Sequence, residues 1–125
     1  MLTTDQAREL ALALPEAVEQ DHHGRPSFRV SRRIFATLWT ERAMNVMAGE
    51  ERIRAAAADR SHVCREVFWG KRLAAVQIDL ERADPELLED LLDHAWRAKA
   101  PARLVRETAL SNASPPGPTE PRARG

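Results

Sequence analysis

Hydrophobic positions near the start of the chain repeat at helical spacing and form one apolar stripe. This stripe consists of Ala7, Leu10, Ala11 and Leu14. Such a repeat is typical of an amphipathic helix with one buried face. Thr3 and Gln6 have the spacing of a capping box at its start. Pro15 ends the helix, because the residue before a proline is pushed out of the helical region.

The following segments alternate apolar with polar residues, which is the period of a β-strand with one buried face. We predict strands over residues 18–20, 27–31, 34–39 and 43–48. The sequence His23-Gly24-Arg25-Pro26 is a turn signal between the first two. Connections this short are typical of an antiparallel meander. The alternation places Phe28 and Val30 on the core face, together with Ile34, Ala36 and Leu38.

The rest of the chain predicts two more helices and two more strands. A helix over 50–58 follows Gly49, and strands over 63–69 and 73–80 come next. Asp84 and Pro85 are suited to the cap and first turn of a third helix, which Pro101 ends. Helices and strands in this order indicate an α+β domain, with a twisted antiparallel sheet of about five or six strands packed against helices.

The last residues differ in composition from the rest. Pro, Ser and Gly dominate residues 109–125, which contain few large apolar side chains. Such a segment cannot bury enough apolar surface to offset the entropy of ordering it. We therefore expect one domain over 1–108 and a flexible tail over 109–125.

Composition narrows the class of protein without naming its chemistry. The chain has 125 residues, 43% of them hydrophobic, and it balances 19 basic against 19 acidic residues. This length fits one domain with one core. No apolar run is long enough for a membrane span, and no basic segment precedes an apolar one as in a signal peptide. One cysteine cannot build a disulfide framework, so we expect a cytoplasmic protein.

The balanced net charge conceals an uneven distribution along the chain. Residues 25–33 contain four arginines and no acid, whereas residues 79–93 are strongly acidic. Such segregation can produce a surface with one basic side. Nearly every positive charge is an arginine, which suits bidentate recognition of phosphate. A GC-rich genome, whose codons favour Arg and Ala, explains the same bias without any function.

Histidines and the single cysteine raise two chemical alternatives. His22, His23, His62 and Cys64 are potential metal ligands, but a structural zinc site needs four ligands, usually with paired cysteines. Adjacent histidines in an extended strand also point to opposite faces. Cys64 has His62 and Arg65 nearby, as a nucleophile would require. A cysteine in a strand is more often a small core residue, so we expect neither a metal site nor a catalytic thiol.

Basic residues at two predicted turns suggest contacts to nucleic acid instead. The chain has no glycine-rich phosphate loop and no nucleophile elbow, so we expect no cofactor. Aromatic residues accompany the basic turns, an arrangement that can straddle phosphates. The candidate phosphate contacts are Arg25, Arg29, Arg32, Arg33, Lys71 and Arg72. The alternative is that the aromatics belong to the core and that the turns are simply solvated.

Three blocks of sequence resemble the MmcQ/YjbR-like family. They are ALALPEAVE (residues 11–19), HHGRPSFRVSRRIFATLW (22–39) and DPELLEDLLDHAWRAKAP (84–101). The resemblance covers about residues 2–107 and includes Trp69-Gly70-Lys71 and Trp96-Arg97. It implies an α+β fold similar to the frataxin (CyaY)-like arrangement. Where that family often has a glycine-rich turn, this chain has Ser31-Arg32-Arg33.

The same resemblance implies a DNA-binding protein without a catalytic role. Double-stranded DNA is then the expected partner, and a monomer is the starting expectation. A net charge of zero is unlike the basic footprint of most DNA-binding domains. The alternative is therefore a small ligand- or protein-interaction module with no affinity for nucleic acid. Its pocket would be lined by His22, His23, Phe28 and Trp69.

Overall fold

The computed structural model describes residues 2–113 and contains one six-stranded antiparallel sheet with four helices. In chain order the elements are α1 (Thr4–Leu12), β1 (Val18–His22), β2 (Arg25–Val30), β3 (Arg33–Thr40), β4 (Ala43–Val46), α2 (Glu50–Asp59), β5 (Cys64–Trp69), β6 (Arg72–Asp79), α3 (Pro85–Lys99) and α4 (Ala102–Ala113). The strands lie in the order β1-β2-β3-β4-β6-β5. The predicted α+β class is confirmed.

Local sequence signals begin the helices where we expected. The Thr3 hydroxyl accepts from the backbone N–H of Gln6 at 3.1 Å, and the Gln6 side chain accepts from the N–H of Thr3 at 2.9 Å. This is a complete capping box. At α3, the Asp84 carboxylate accepts from the N–H of Leu87 at 2.8 Å, with Pro85 in the first turn. Both predicted caps are confirmed.

The helices cover one face of the sheet and form a single core with it. α3 packs against β3 and β4, α2 packs against β5 and β6, and α1 packs against α3. The buried side chains of α3 are Leu87, Leu88, Leu91, Leu92, Ala95 and Trp96. The sheet contributes its alternating core-facing residues, among them Phe28, Val30, Met44, Val46, Val76 and Ile78. The opposite face carries no helix in the described part of the chain.

A bulge in β3 overturns one prediction about the core. Phe28 pairs with Ala36, but the next residue, Arg29, pairs with Ile34, so Phe35 is an extra residue in β3. Phe35 and Ala36 are consequently both buried in the core. The extra residue reverses the alternation. Ile34 therefore lies half-buried on the opposite face, and its predicted place on the core face is wrong.

The sequence pattern does not predict the last helix, α4. Pro101 ends α3, but α4 begins at the next residue and buries Leu104 against the core. Proline is suited to helix starts as well as ends, because its missing N–H is not needed there. α4 extends to Ala113, and the remainder of the predicted flexible tail, 114–125, lies outside the described residues. No helix within residues 2–113 has the length and apolar character needed to cross a membrane.

Both basic turns lie at the same end of the sheet. All neighbouring strands are antiparallel. β2 and β5 are four antiparallel steps apart and therefore run in the same direction. The β2–β3 and β5–β6 turns, which follow those strands, consequently share one end. The centres of the two hairpins are three strand spacings apart, which is on the order of 14 Å.

The β2–β3 turn keeps a tight geometry without glycine. Its two central residues, Ser31 and Arg32, have φ values of 49° and 71°. Positive φ at both positions is the pattern of a type I′ turn, which matches the twist of a hairpin and usually contains Asn or Gly. The sequence departure at this turn therefore preserves the hairpin and adds a guanidinium group at its tip.

Candidate functional site

A row of polar side chains crosses the helix-free face of the sheet, which we call the open face. The strand register places one member on each strand: Gln20, Ser27, Thr37, Asn45, Gln77 and Arg65. The three central members, Ser27, Thr37 and Asn45, are at most 6% exposed. Buried polar groups normally have hydrogen-bond partners. A polar atom in this row that lacks a partner is therefore unusual.

Hydrogen bonds along this row fix the orientation of two amides. Arg65 donates to Gln77 Oε1 at 3.2 and 3.0 Å, and Gln77 Nε2 donates to Asn45 Oδ1 at 3.0 Å. A guanidinium group has donors only, so the Gln77 oxygen must face Arg65. The Asn45 oxygen must then accept from Gln77. The Asn45 amide Nδ2 and the Thr37 hydroxyl are left without a hydrogen-bond partner among the described residues.

These two groups line a cavity of about 440 Å³ on the open face. Its other lining residues are His22, His23, Arg25, Ile34, Trp39, Met47, Trp69, Arg72 and Lys99. Because these residues come from all six strands, the sheet must curl around its open face, as a twisted sheet does. The volume lies within the range of small-molecule sites. No carboxylate is among the lining residues, so the cavity favours an anionic ligand.

Two tryptophans with paired arginines occupy this surface. The Arg25 guanidinium lies 3.9 Å from the centre of the Trp39 ring and also donates to the Trp39 carbonyl oxygen at 3.0 Å. Arg72 lies 5.8 Å from the centre of the Trp69 ring. Trp39 is 41% exposed and Trp69 is 50% exposed. Each pair therefore presents an aromatic surface and a positive charge together.

The structure divides the predicted pocket residues. His22, His23 and Trp69 line the cavity, whereas Phe28 is fully buried in the core on the opposite face. Phe28 is therefore not a pocket residue. His23 has a left-handed φ of 54°, and the two histidine ring centres are only 4.4 Å apart. The rule that adjacent histidines in an extended strand point to opposite faces does not apply here, because His23 belongs to the turn.

The predicted phosphate contacts share an electrostatic property that the sequence did not reveal. Many other arginines form ion pairs with carboxylates, namely Arg8, Arg42, Arg52, Arg54, Arg60, Arg82, Arg97 and Arg103. Within residues 2–113, no ion pair involves Arg25, Arg29, Arg32, Arg33, Lys71, Arg72 or Lys99. The cations that lack a carboxylate partner are thus concentrated on the open face and at the end with the basic turns.

Arg29 is held differently from the turn residues. Its Nε donates to the Ser27 hydroxyl at 3.2 Å, and Ser27 in turn donates to the Gln20 carbonyl oxygen at 2.8 Å. The side chain therefore lies along the open face beside Ser27. Arg32 lies in the β2–β3 turn and Arg33 is the first residue of β3 after it. Lys71 lies in the β5–β6 turn and Arg72 is the first residue of β6 after it. These four cations are placed for contacts outside the domain.

Cys64 lies in a setting that opposes nucleophilic chemistry. The side chain is 2% exposed and belongs to the core cluster. Burial raises the pKa of the Cys64 thiol, and the charges of Arg60 and Arg52 only partly oppose this. A thiol needs a lowered pKa to act as a nucleophile. His62 lies in the turn before β5 rather than on the strand, so it does not share a strand face with Cys64.

We expect Cys64 to resist alkylation in the folded protein. Because its pKa is raised, the reactive thiolate forms only at higher pH than in an unfolded chain. Iodoacetamide labelling followed by mass spectrometry, across neutral to alkaline pH, measures this. The native rate should lie well below that of the urea-unfolded chain near neutral pH, because the thiol is both buried and less ionised. Equal rates in the two states would contradict the buried thiol.

Metal ligands do not gather anywhere in residues 2–113. No group of three or more His, Cys, Asp or Glu side chains there is arranged to hold a metal ion. The cavity near Cys64, of about 350 Å³, contains the Arg42–Glu81 ion pair, whose nitrogen and oxygen lie 3.1 Å apart. Opposite charges compensate one another there. The open-face cavity therefore remains the stronger candidate.

Fold and site together define an α+β domain that has one helix-covered sheet face and one open, cationic, aromatic face. The YjbR family model matches residues 12–98 of the 125-residue chain. The chain therefore belongs to the YjbR family. The matched region includes all six strands and almost all of α3. No curated protein and no solved structure matches the chain.

Proposed function

We propose that this domain binds DNA without catalysing a reaction. The observation that carries the proposal is the concentration of unpaired cations on the open face and at the end with the basic turns. A cation already paired with a carboxylate gains little from a phosphate, whereas an unpaired one releases bound counterions when it binds. Because ion pairs are neutral, a formal net charge of zero requires a comparable number of unpaired carboxylates in the chain, and none of them lines the open-face cavity.

The positions of the turns support contact with phosphates. Arg32 and Arg33 lie at one hairpin tip, and Lys71 and Arg72 lie at the other, at the same end of the sheet. The separation of about 14 Å is comparable to the roughly 12 Å width of the major groove. Two tips at this spacing suit phosphates on opposite sides of a groove. Such contacts position a protein on DNA and do not by themselves read its sequence.

The first experiment measures fluorescence anisotropy of labelled duplex DNA across a salt series. We expect dissociation constants of about 10⁻⁴ to 10⁻⁶ M at physiological salt, the range of non-specific binding. The variant Arg32→Ala/Arg33→Ala should bind more weakly. When log K is plotted against log salt concentration, the slope for this variant should be shallower by about 2, because each lost phosphate contact reduces the slope by about 0.9.

The matched control is Arg54→Ala/Arg82→Ala, which removes the same charge from two exposed, ion-paired residues. This control should retain the wild-type slope. Absence of any DNA binding at low salt, where electrostatic attraction is strongest, would overturn the proposal. Equal losses in both variants would show that net charge matters and the turn does not.

A small-ligand module is the second candidate function. The cavity of about 440 Å³, with its unpaired Thr37 hydroxyl and Asn45 amide, favours it. A ligand for this site needs an apolar, planar body and a negative charge, to match the tryptophans and arginines. Binding of such a ligand with no duplex affinity and little salt dependence would favour this candidate.

A further inference from the structure

We infer that the open-face cavity accepts an unstacked nucleobase, so that the domain prefers single-stranded to double-stranded DNA. This inference rests on the proposed DNA-binding function and goes beyond the phosphate contacts of the turns. A base in a duplex is stacked and paired on both sides. A base in a single strand can leave its stack and enter a cavity at low cost, which makes single strands the natural partner of such a site.

Aromatic surface is the first requirement for a base, and the cavity supplies it twice. Arg25 packs on the Trp39 ring at 3.9 Å and is also tied to the Trp39 backbone. One ring face is therefore covered, while 41% of the residue remains exposed. Trp69 lines the same cavity and is 50% exposed. Indole rings that are held in place and half exposed suit base stacking.

A hydrogen-bonding edge is the second requirement. The chain Arg65 to Gln77 to Asn45 uses the Asn45 oxygen as an acceptor, so only its amide donor remains available. The Thr37 hydroxyl lies on the neighbouring strand, directly opposite in register. A donor paired with an adaptable hydroxyl suits a base edge that carries a carbonyl oxygen, as thymine does. Adenine presents an amino donor at the corresponding position of its edge.

Charge at the rim is the third requirement. Arg72 and Lys99 line the cavity. Three more cations, Arg32, Arg33 and Lys71, lie at the same end of the sheet as Arg72. A strand whose base enters the cavity therefore finds cations for its neighbouring phosphates. A duplex can use the turn cations but leaves the tryptophans and the Asn45 donor without a partner.

The test compares oligo(dT), oligo(dA) and duplex DNA of equal length by anisotropy at one salt concentration. The full chain should bind oligo(dT) at least about tenfold more tightly than duplex, the scale of one stacked base. Trp39→Ala and Trp69→Ala should each remove most of this preference and leave duplex affinity within about twofold. The matched control is Phe68→Ala, since Phe68 is 51% exposed on the same edge strand but does not line the cavity.

The variant Asn45→Asp tests the base edge. An aspartate still accepts from Gln77 but replaces the free donor with an acceptor, so the preference for oligo(dT) over oligo(dA) should fall at least about fivefold. Thermal melting checks that this variant folds. If it does not, Thr37→Val supplies the same comparison.

Three results would overturn the inference. One is that oligo(dT) and duplex bind with equal affinity and that the two tryptophan variants bind both as wild type does. This result would leave the proposed DNA-binding function intact. Another is equal affinity for thymidine monophosphate and oligo(dT), which would make the ligand a free nucleotide. The last is no binding of any probe at low salt, which alone would overturn the proposed function as well.

Discussion

Replacing Trp96 by alanine should lower the free energy of unfolding by about 4 kcal/mol, within the range for large buried aromatics. Trp96 is fully buried near the end of α3 and is the largest buried side chain among the described residues. Its Nε1 donates to the Pro15 carbonyl oxygen at 3.0 Å, across the core from α3 to the connection after α1. The substitution leaves a large cavity and also leaves that carbonyl without its donor.

Urea unfolding followed by circular dichroism measures this change. A loss of about 4 kcal/mol should also lower the melting temperature by roughly 15 °C for a domain of this size. Trp96→Phe separates the two contributions, since phenylalanine keeps most of the volume and loses the N–H group. We expect it to cost about 1–3 kcal/mol, the range for a polar group that loses its hydrogen-bond partner on folding.

The matched control is Trp69→Ala, because Trp69 is the same residue type but half exposed on an edge strand. It should change the free energy of unfolding by less than about 1 kcal/mol. If Trp96→Ala cost no more than Trp69→Ala, the bond to Pro15 and the packing of α3 would not hold the fold together.

Local signals in the sequence were sufficient for most of the fold. Thr3 and Gln6, or Asp84 and Pro85, act within a few residues, so their effect does not depend on distant parts of the chain. The bulge at Phe35 is different, because it depends on how β2 and β3 fit together. Alternation alone cannot show an extra residue, and one extra residue reverses every side chain beyond it. This is why Ile34 was assigned to the wrong face.

The candidate site depended even more on register. The basic turns could be found from the sequence, since charge and turn residues are adjacent there. The row that joins Thr37, Asn45 and Gln77 comes from strands far apart in the chain, and β6 lies beside β4 only after a crossover through α2 and β5. Ion pairing was equally hidden, because Arg52 and Asp90 meet across 38 positions. The positions of the charged residues could therefore be predicted from the sequence, but which of them form ion pairs could not.

Removing all four cations of the two turns should weaken duplex binding on the order of 10²-fold at low salt, because four phosphate contacts are lost together. The variant is Arg32→Ala/Arg33→Ala/Lys71→Ala/Arg72→Ala. Both turns lie at one end of the sheet, so one duplex can contact both. For the variant, the slope of log K against log salt should be shallower than that of wild type by about 3 to 4, because each lost contact reduces it by about 0.9.

The matched control removes four ion-paired arginines instead, in the variant Arg8→Ala/Arg42→Ala/Arg54→Ala/Arg82→Ala. Each variant loses the same formal charge, so long-range attraction to DNA falls equally in both. Their stability should also remain similar, since exposed ion pairs contribute only about 0–1 kcal/mol each. A difference between the two variants in the slope of log K against log salt therefore shows that the position of the cations, and not only their number, determines DNA binding. If Lys71→Ala/Arg72→Ala alone left the slope unchanged, the β5–β6 turn would not contact the duplex, and binding would involve the β2–β3 turn without its neighbour.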